Sequence, residues 1–315
     1  MKRTAQSVVL LIFMLLVIDW GGGAASYEGA QLLGCADEDR VLWAADPPQH
    51  GPDVEELQLR LQELGYYNGQ ITGIYDHCTQ QSVVKFHKDR GMGAVSIVTL
   101  ETWNALAQDI KAPPSSETKE PVSGDVKIII DKHKNLLSLY VGGKLYKQYP
   151  VAIGKNNSPT PVGEFKVANK SYKSGGALGT RWMGLNVPWG SYGVHGTNKP
   201  WSIGRRASAG CIRMHNQHVE EIYPLVKIGT PVTIIGDYPP ITKSEIKIGA
   251  NSQSLIPVQY KLRDLGIYWG PADGRFGQMT AAAVRYFQLL NGLEPSGNLT
   301  EETNLLLEKG IGAQN

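Results

Sequence analysis

His195, Cys211 and Arg213 fall within nineteen positions, in the stretches His195-Gly196-Thr197 and Ser208-Ala209-Gly210-Cys211-Ile212-Arg213-Met214. A base, a nucleophile and a guanidinium are thus interleaved with glycines. A cysteine attacks as its thiolate, so it needs an imidazole or other positive potential beside it. Gly210 lets backbone approach whatever Cys211 attacks. Its N–H, with that of Cys211, suits a developing oxyanion. In extended chain Arg213 projects from the same face as Cys211, two residues on. The chemistry these residues could perform together is covalent acyl transfer.

A metal centre competes for the same stretch. His215 and His218 lie close to Cys211. No second thiolate joins them, no His-Glu-x-x-His motif exists, and a spacing of three is a weak signal. They read as surface residues beyond the reactive loop. Neither a metal nor an organic cofactor is expected.

The elements that must position these residues read as strands. Lys127-Ile128-Ile129-Ile130 is β-prone, and Leu137, Leu139 and Val141 alternate with Ser138 and Tyr140. Gly142-Gly143 offers a two-residue hairpin turn into Lys144–Tyr149. Phe165-Lys166-Val167 predicts another strand, and only Val219 to Val226 looks helical. Trp182, Trp189, Tyr192 and Trp201 either line a cleft or belong to its walls.

On both sides the chain repeats itself at a constant offset of 201 residues, without a gap. Gly266 falls on Gly65, Thr280 on Thr79, Val284 on Val83, Phe287 on Phe86 and Thr303 on Thr102. Each copy predicts three short helices. Leu57, Leu61 and Leu64 form the buried stripe of the first, with Asp53 and Glu56 as a capping box. Thr79 or Thr280 is expected to cap the second helix, and Thr99 or Thr300 starts the third. Tyr67, Asn68, Tyr268, Trp269 and Arg275 are the exposed turn residues that would touch a ligand.

At 315 residues the chain can hold two or three cores. A net charge of +2 with no dense Lys/Arg cluster excludes nucleic acid as the partner. Lys2 and Arg3 precede an apolar run from Val8 to Ile18 and then Gly21–Ala25, which predicts a signal peptide or an uncleaved N-terminal anchor in the membrane. The protein is therefore expected outside the cytoplasm, at the cell wall. Three cysteines there suggest one pair and one left over. If Cys211 is the nucleophile, Cys35 and Cys78 remain to bridge.

The His-Gly-Thr and Ser-x-Gly-Cys-Ile-Arg-Met stretches resemble the active-site signature of the L,D-transpeptidase catalytic domain. Thr160–Phe165, Gly179–Leu185 and Ile228–Val232 are similar to further segments of that family, in the same order. Leu-x-x-Leu-Gly-Tyr-Tyr-x-Gly in the first copy, and Asp-Gly-x-Phe-Gly in the second, resemble the small three-helix peptidoglycan-binding domain. The resemblance implies a multidomain chain with a mostly-β catalytic domain between two small all-α domains. The expected bounds are a leader at 1–25, a binding domain at 26–110, a linker at 111–124, the catalytic domain at 125–237, a linker at 238–253 and a second binding domain at 254–315.

It also implies the chemistry. Cys211 is the nucleophile and His195 the general base and acid, oriented by the backbone carbonyl of Gly196. The Gly210 backbone serves the oxyanion, Arg213 positions substrate, and Ser208 supports the loop. The expected partner is peptidoglycan: a tetrapeptide donor stem and an amine acceptor stem, joined through a thioester. Water as acceptor would make the enzyme an L,D-carboxypeptidase, and a decayed centre would leave a wall-binding protein. Sortases share the order His, Cys, Arg, but their arginine follows farther on.

Overall fold

The computed structural model describes residues 39–113 and 124–309. All of them belong to one unit, Leu32–Asn315. The leader at 1–25, Cys35 and most of the first linker lie outside the described residues. Among those described, no helix is long and apolar enough to cross a membrane.

The N-terminal module holds α1 (Pro52–Glu63), α2 (His77–Asp89) and α3 (Leu100–Ala107). Their apolar stripes meet in a core of Leu57, Leu61, Val83, Phe86, Trp103 and Leu106. The expected capping box of α1 does not form. The helix starts behind Gly51 without a side-chain cap. Because the helix begins at Pro52, Asp53 lies inside its first turn and takes the guanidinium of Arg40 at 2.7 Å, while Glu56 turns toward buried cations. The cap of α2 is Asp76, which accepts from Thr79 N at 2.9 Å, so Thr79 sits inside the first turn. Thr99 does begin α3, its N–H donating to Thr102 Oγ1 at 3.1 Å.

The middle domain is built on an eight-stranded mixed sheet. Its strands are β1 (Val126–Asp131), β2 (Leu136–Val141), β3 (Lys144–Pro150), β5 (Gly163–Tyr172), β6 (Arg181–Leu185), β7 (Tyr192–His195), β9 (Ile212–Arg213) and β10 (Pro231–Ile235). They lie side by side in the order β3-β2-β1-β10-β5-β6-β7-β9. Two short strands, β4 (Ile153–Gly154) and β8 (Arg206–Ser208), pair in parallel apart from it. The pairs β1/β10 and β7/β9 are parallel and the rest of the main sheet is antiparallel. The β2–β3 hairpin turns at Gly142 and Gly143, both with positive φ, as a primed turn requires. Helix α4 (Asn216–Ile222) lays Val219 and Ile222 on the core made by Ile128, Leu139, Met183, Val194 and Ile212. It starts three residues earlier than the sequence pattern suggests and stops at Tyr223.

The C-terminal module repeats the first with α5 (Leu255–Asp264), α6 (Gln278–Leu290) and α7 (Glu301–Lys309). Its second helix is capped by Gly277, and Thr280 again lies inside. The stretch at 238–253 is not a free linker. Ile246 bridges Leu299, Asn251 bridges Arg275, and Ile241, Ile246 and Ile248 pack on the module's core. Tyr67 and Tyr268 are buried rather than exposed, each hydroxyl donating to a backbone carbonyl (Gln70 at 2.6 Å, Pro271 at 2.7 Å). Trp269 does stand in solvent, 84% exposed.

Gln58 and Gln259 hold the repeat together. Each is fully buried. Gln58 Oε1 accepts from Gly73 N at 2.9 Å, and its amide donates to Thr79 Oγ1 at 2.9 Å. Gln259 does the same with Gly274 N (2.8 Å) and Thr280 Oγ1 (3.3 Å). An unpaired buried amide would be costly, so both turns are fixed against both helices.

Both modules dock on the middle domain. Arg263 of α5 makes two bonds to Glu164 of β5, at 2.7 and 2.8 Å. That hydrogen-bonded guanidinium holds the Glu164 carboxyl below its ordinary range. On the other side Trp201, in the short 3-10 turn Pro200–Ser202, stacks on Trp103 at 6.2 Å and joins the core of the N-terminal module.

Candidate active site

Parallel pairing of β7 with β9 sets Val194 against Ile212 and His195 against Arg213. Residues in register across a sheet project to the same side. Strand geometry thus puts His195 and Arg213 on one face, with Cys211 in the bend that leads directly into β9. All three are buried, with exposures of 0, 0 and 1%.

His195 is held in one orientation. Its Nδ1 lies 2.5 Å from the carbonyl oxygen of Gly196. A carbonyl only accepts, so Nδ1 carries the hydrogen and Nε2 is left as the proton acceptor. Trp182 stacks on the imidazole at 5.7 Å. The turn after the histidine is gathered by Asn216, at the start of α4, whose Oδ1 accepts from Thr180 N (3.2 Å) and Thr197 N (3.1 Å). A Cβ at Gly196 would come within 2.1 Å of that oxygen, so only glycine fits there. Asn216 was not legible from the sequence, since a lone asparagine carries no spacing signal.

Ser208 organises the loop before Cys211. Its hydroxyl donates to the Cys211 carbonyl at 2.5 Å and accepts the Gly210 N–H at 3.1 Å. Gly210 has φ +125, where a side chain is strained, and a Cβ would meet the Tyr192 ring at 2.8 Å. Gly210→Ala is therefore expected to lower thermal stability by about 1–3 kcal/mol. It should reduce turnover by more than its loss of folded protein accounts for, as paired melting and rate measurements will show.

Cys211 Sγ lies 4.0 Å from the Ser191 carbonyl. The residue is disulfide-bonded in this structure. Cys78, on the first turn of α2, is a free and exposed thiol. Cys78 being free, it does not take part in the Cys35–Cys78 bridge considered from sequence; Cys35 lies outside the described residues.

Arg213 is an ion-pair partner as well as a neighbour of the thiol. Its Nη1 donates to Glu56 Oε1 of α1 at 2.6 Å. The other carboxylate oxygen, Oε2, takes Lys199 Nζ at 2.8 Å. Asp39 sits 3.7 Å from the same ammonium and accepts from Asn198 at 2.7 Å, while burial pushes its carboxyl above the ordinary range. A crevice of about 380 Å³ opens beside this cluster, walled by Pro52, Glu55 and Glu56 on one side and Ser208, Ala209 and Arg213 on the other.

His215 and His218 are buried, not surface residues, with ring centroids 5.3 Å apart. His218 Nε2 bonds the Pro113 carbonyl at 3.0 Å. Burial first, and then repulsion from His218, lowers the His215 pKa to about 4. The unfolded chain takes up a proton near 6.5 that the folded chain refuses until about 4. Stability is thus lost as pH falls through that window, by up to about 3 kcal/mol. Melting curves at pH 7.5 and 4.5 should show the loss, and His215→Gln should reduce it.

With this geometry in place, residues 125–234 match the L,D-transpeptidase catalytic domain family. Residues 50–106 and 251–307 each match a "Putative peptidoglycan binding domain" family. Over 116 residues the chain is 41% identical to a Bacillus licheniformis protein named "Putative L,D-transpeptidase YkuD", covering 37% of this chain and 69% of that one. L,D-transpeptidase 1 of Mycobacterium tuberculosis is 26% identical over 112 residues, covering 30% of this chain and 44% of that protein. Among solved structures, the L,D-transpeptidase of Xylanimonas cellulosilytica shares 27% identity at a TM-score of 0.31, covering 60% of this chain and 95% of that one.

Proposed function

Because the chain belongs to the L,D-transpeptidase catalytic-domain family, we propose that Cys211, once reduced, is the nucleophile of a peptidoglycan transpeptidase and that His195 is its base. The observation that carries this reading is the Nδ1 bond of His195 to Gly196, which orients Nε2 to take a proton, on the strand that pairs with β9 immediately after Cys211. Thiol chemistry needs such an acceptor, since a neutral thiol is a poor nucleophile.

In the first step the Cys211 thiol gives its proton to His195 Nε2. Sulfur adds to the carbonyl of the residue before the terminal D-alanine in a tetrapeptide stem. The oxyanion develops toward the Gly210–Cys211 backbone, where the Gly210 N–H exchanges Ser208 Oγ for it. The C–N bond then breaks, and the amine leaves with the proton held by His195, so that a thioester remains. In the second step the side-chain amine of another stem adds to the thioester and loses a proton to His195. Sulfur departs, regains that proton, and a cross-link stands in its place.

Both flanking modules would hold the enzyme to the wall through peptidoglycan binding, and the leader at 1–25 would export or anchor it. Incubating the reduced protein with tetrapeptide-bearing muropeptides tests the assignment. Cross-linked dimers by mass are the expected product. Tripeptide alone would make the enzyme a carboxypeptidase, and unchanged substrate would overturn the reading.

A further inference from the structure

The buried ion cluster that joins α1 to the reactive loop has no part in the two steps above. Two cations, Lys199 and Arg213, converge on one carboxylate, with side-chain exposures of 4, 2 and 7% for Lys199, Arg213 and Glu56. Each cation takes a different oxygen, which is how a bound carboxylate is recognised. The carboxylate belongs to the N-terminal module and the cations to the catalytic domain. The crevice beside them reaches Ser208 and Ala209, so a ligand entering it meets Arg213 alongside Glu56.

We propose that Lys199 and Arg213 form a carboxylate-binding subsite, and that Glu56 occupies it as a built-in competitor until a stem peptide with a free carboxylate displaces it. This rests on the transpeptidase reading for the identity of the ligand. Withdrawing a carboxylate from buried cations is costly, and an arriving anion offsets that cost, so the exchange of Glu56 is coupled to ligand entry. The module stays docked during the exchange, because Trp201 remains packed in its core. Asp39 stays beside Lys199 and accepts from Asn198 across the same boundary, while the pairs Lys155–Glu55 and Arg205–Glu63 are partly exposed and contribute little. The exchange therefore involves the Glu56 side chain and the first turns of α1, and it makes the wall-binding module a gate on substrate affinity.

The test uses the full-length protein. Glu56→Gln removes the competing charge while keeping the shape. It should lower KM for a tetrapeptide donor about tenfold with kcat unchanged, whereas Glu63→Gln, outside the crevice, should leave both unchanged. A raised KM or a tenfold lower kcat in Glu56→Gln would show that Glu56 braces Arg213, and would overturn the proposal. Should Glu56→Gln fold poorly, hydrogen exchange in the Cys211→Ala protein supplies the answer. A tetrapeptide with a free terminal carboxylate should speed exchange at residues 52–57, and its C-terminal amide should not. Equal responses, or none, would overturn the proposal. Failure of the transpeptidase reading itself would appear separately, as wild-type protein that leaves every donor unchanged.

Discussion

Cys211→Ser is expected to lower turnover of tetrapeptide-bearing muropeptides by at least about a thousandfold. Compared with the reduced protein, the substitution changes one atom in a fully buried side chain, so the packing around it is kept. What it removes is acidity. A serine hydroxyl is far weaker an acid than a thiol, and an imidazole at neutral pH does not ionise it enough to compensate. Binding of the donor should persist, because the surrounding loop is held by Ser208 and the strand pairing rather than by sulfur. Equilibrium binding with unaltered affinity, beside a rate at background, is the expected pair of results. A Cys211→Ser protein that retains a tenth of the wild-type rate would contradict the role of the thiol.

His195→Gln is expected to lower kcat by about 10²–10⁴. Glutamine fills similar space and can still bond the Gly196 carbonyl through its amide, but it takes no proton. Its cost should therefore fall on the chemical steps, with KM nearly unchanged. The pH–rate profile should also lose its imidazole limb and instead climb with hydroxide. Alkylation of the reduced Cys211 thiol at neutral pH should slow in parallel. A loss seen only in KM would make His195 a binding residue, contrary to the orientation imposed by Gly196.

Strand and helix patterning showed the order of domains and the stretch carrying Cys211 and Arg213, because periodicity is local and the signature is contiguous. Contacts made across the chain were not legible. Glu56 read as a helix-capping residue, since sequence spacing cannot show that two buried cations wait 143 and 157 residues away. Gln58 and Gln259 coincide in the repeat, but only the fold shows that their amides tie a turn to a helix. The stretch at 238–253 has the prolines of a linker, yet its isoleucines, spread too unevenly for a periodic signal, pack on the C-terminal core. His215 and His218 read as polar loop residues. Tertiary packing against Tyr149 and Pro113 buries His218, and the His218 ring in turn packs on His215.

The central claim is that a donor stem becomes covalently joined to Cys211 while His195 carries the proton. Reduced protein mixed with excess tetrapeptide donor, quenched in acid within the first turnover and weighed intact, tests it most directly. A mass gain equal to the tripeptide acyl group is expected, located on the fragment containing Cys211 and absent from Cys211→Ser. Product formed at the full rate with no such adduct, or with the acyl group on another residue, would contradict it.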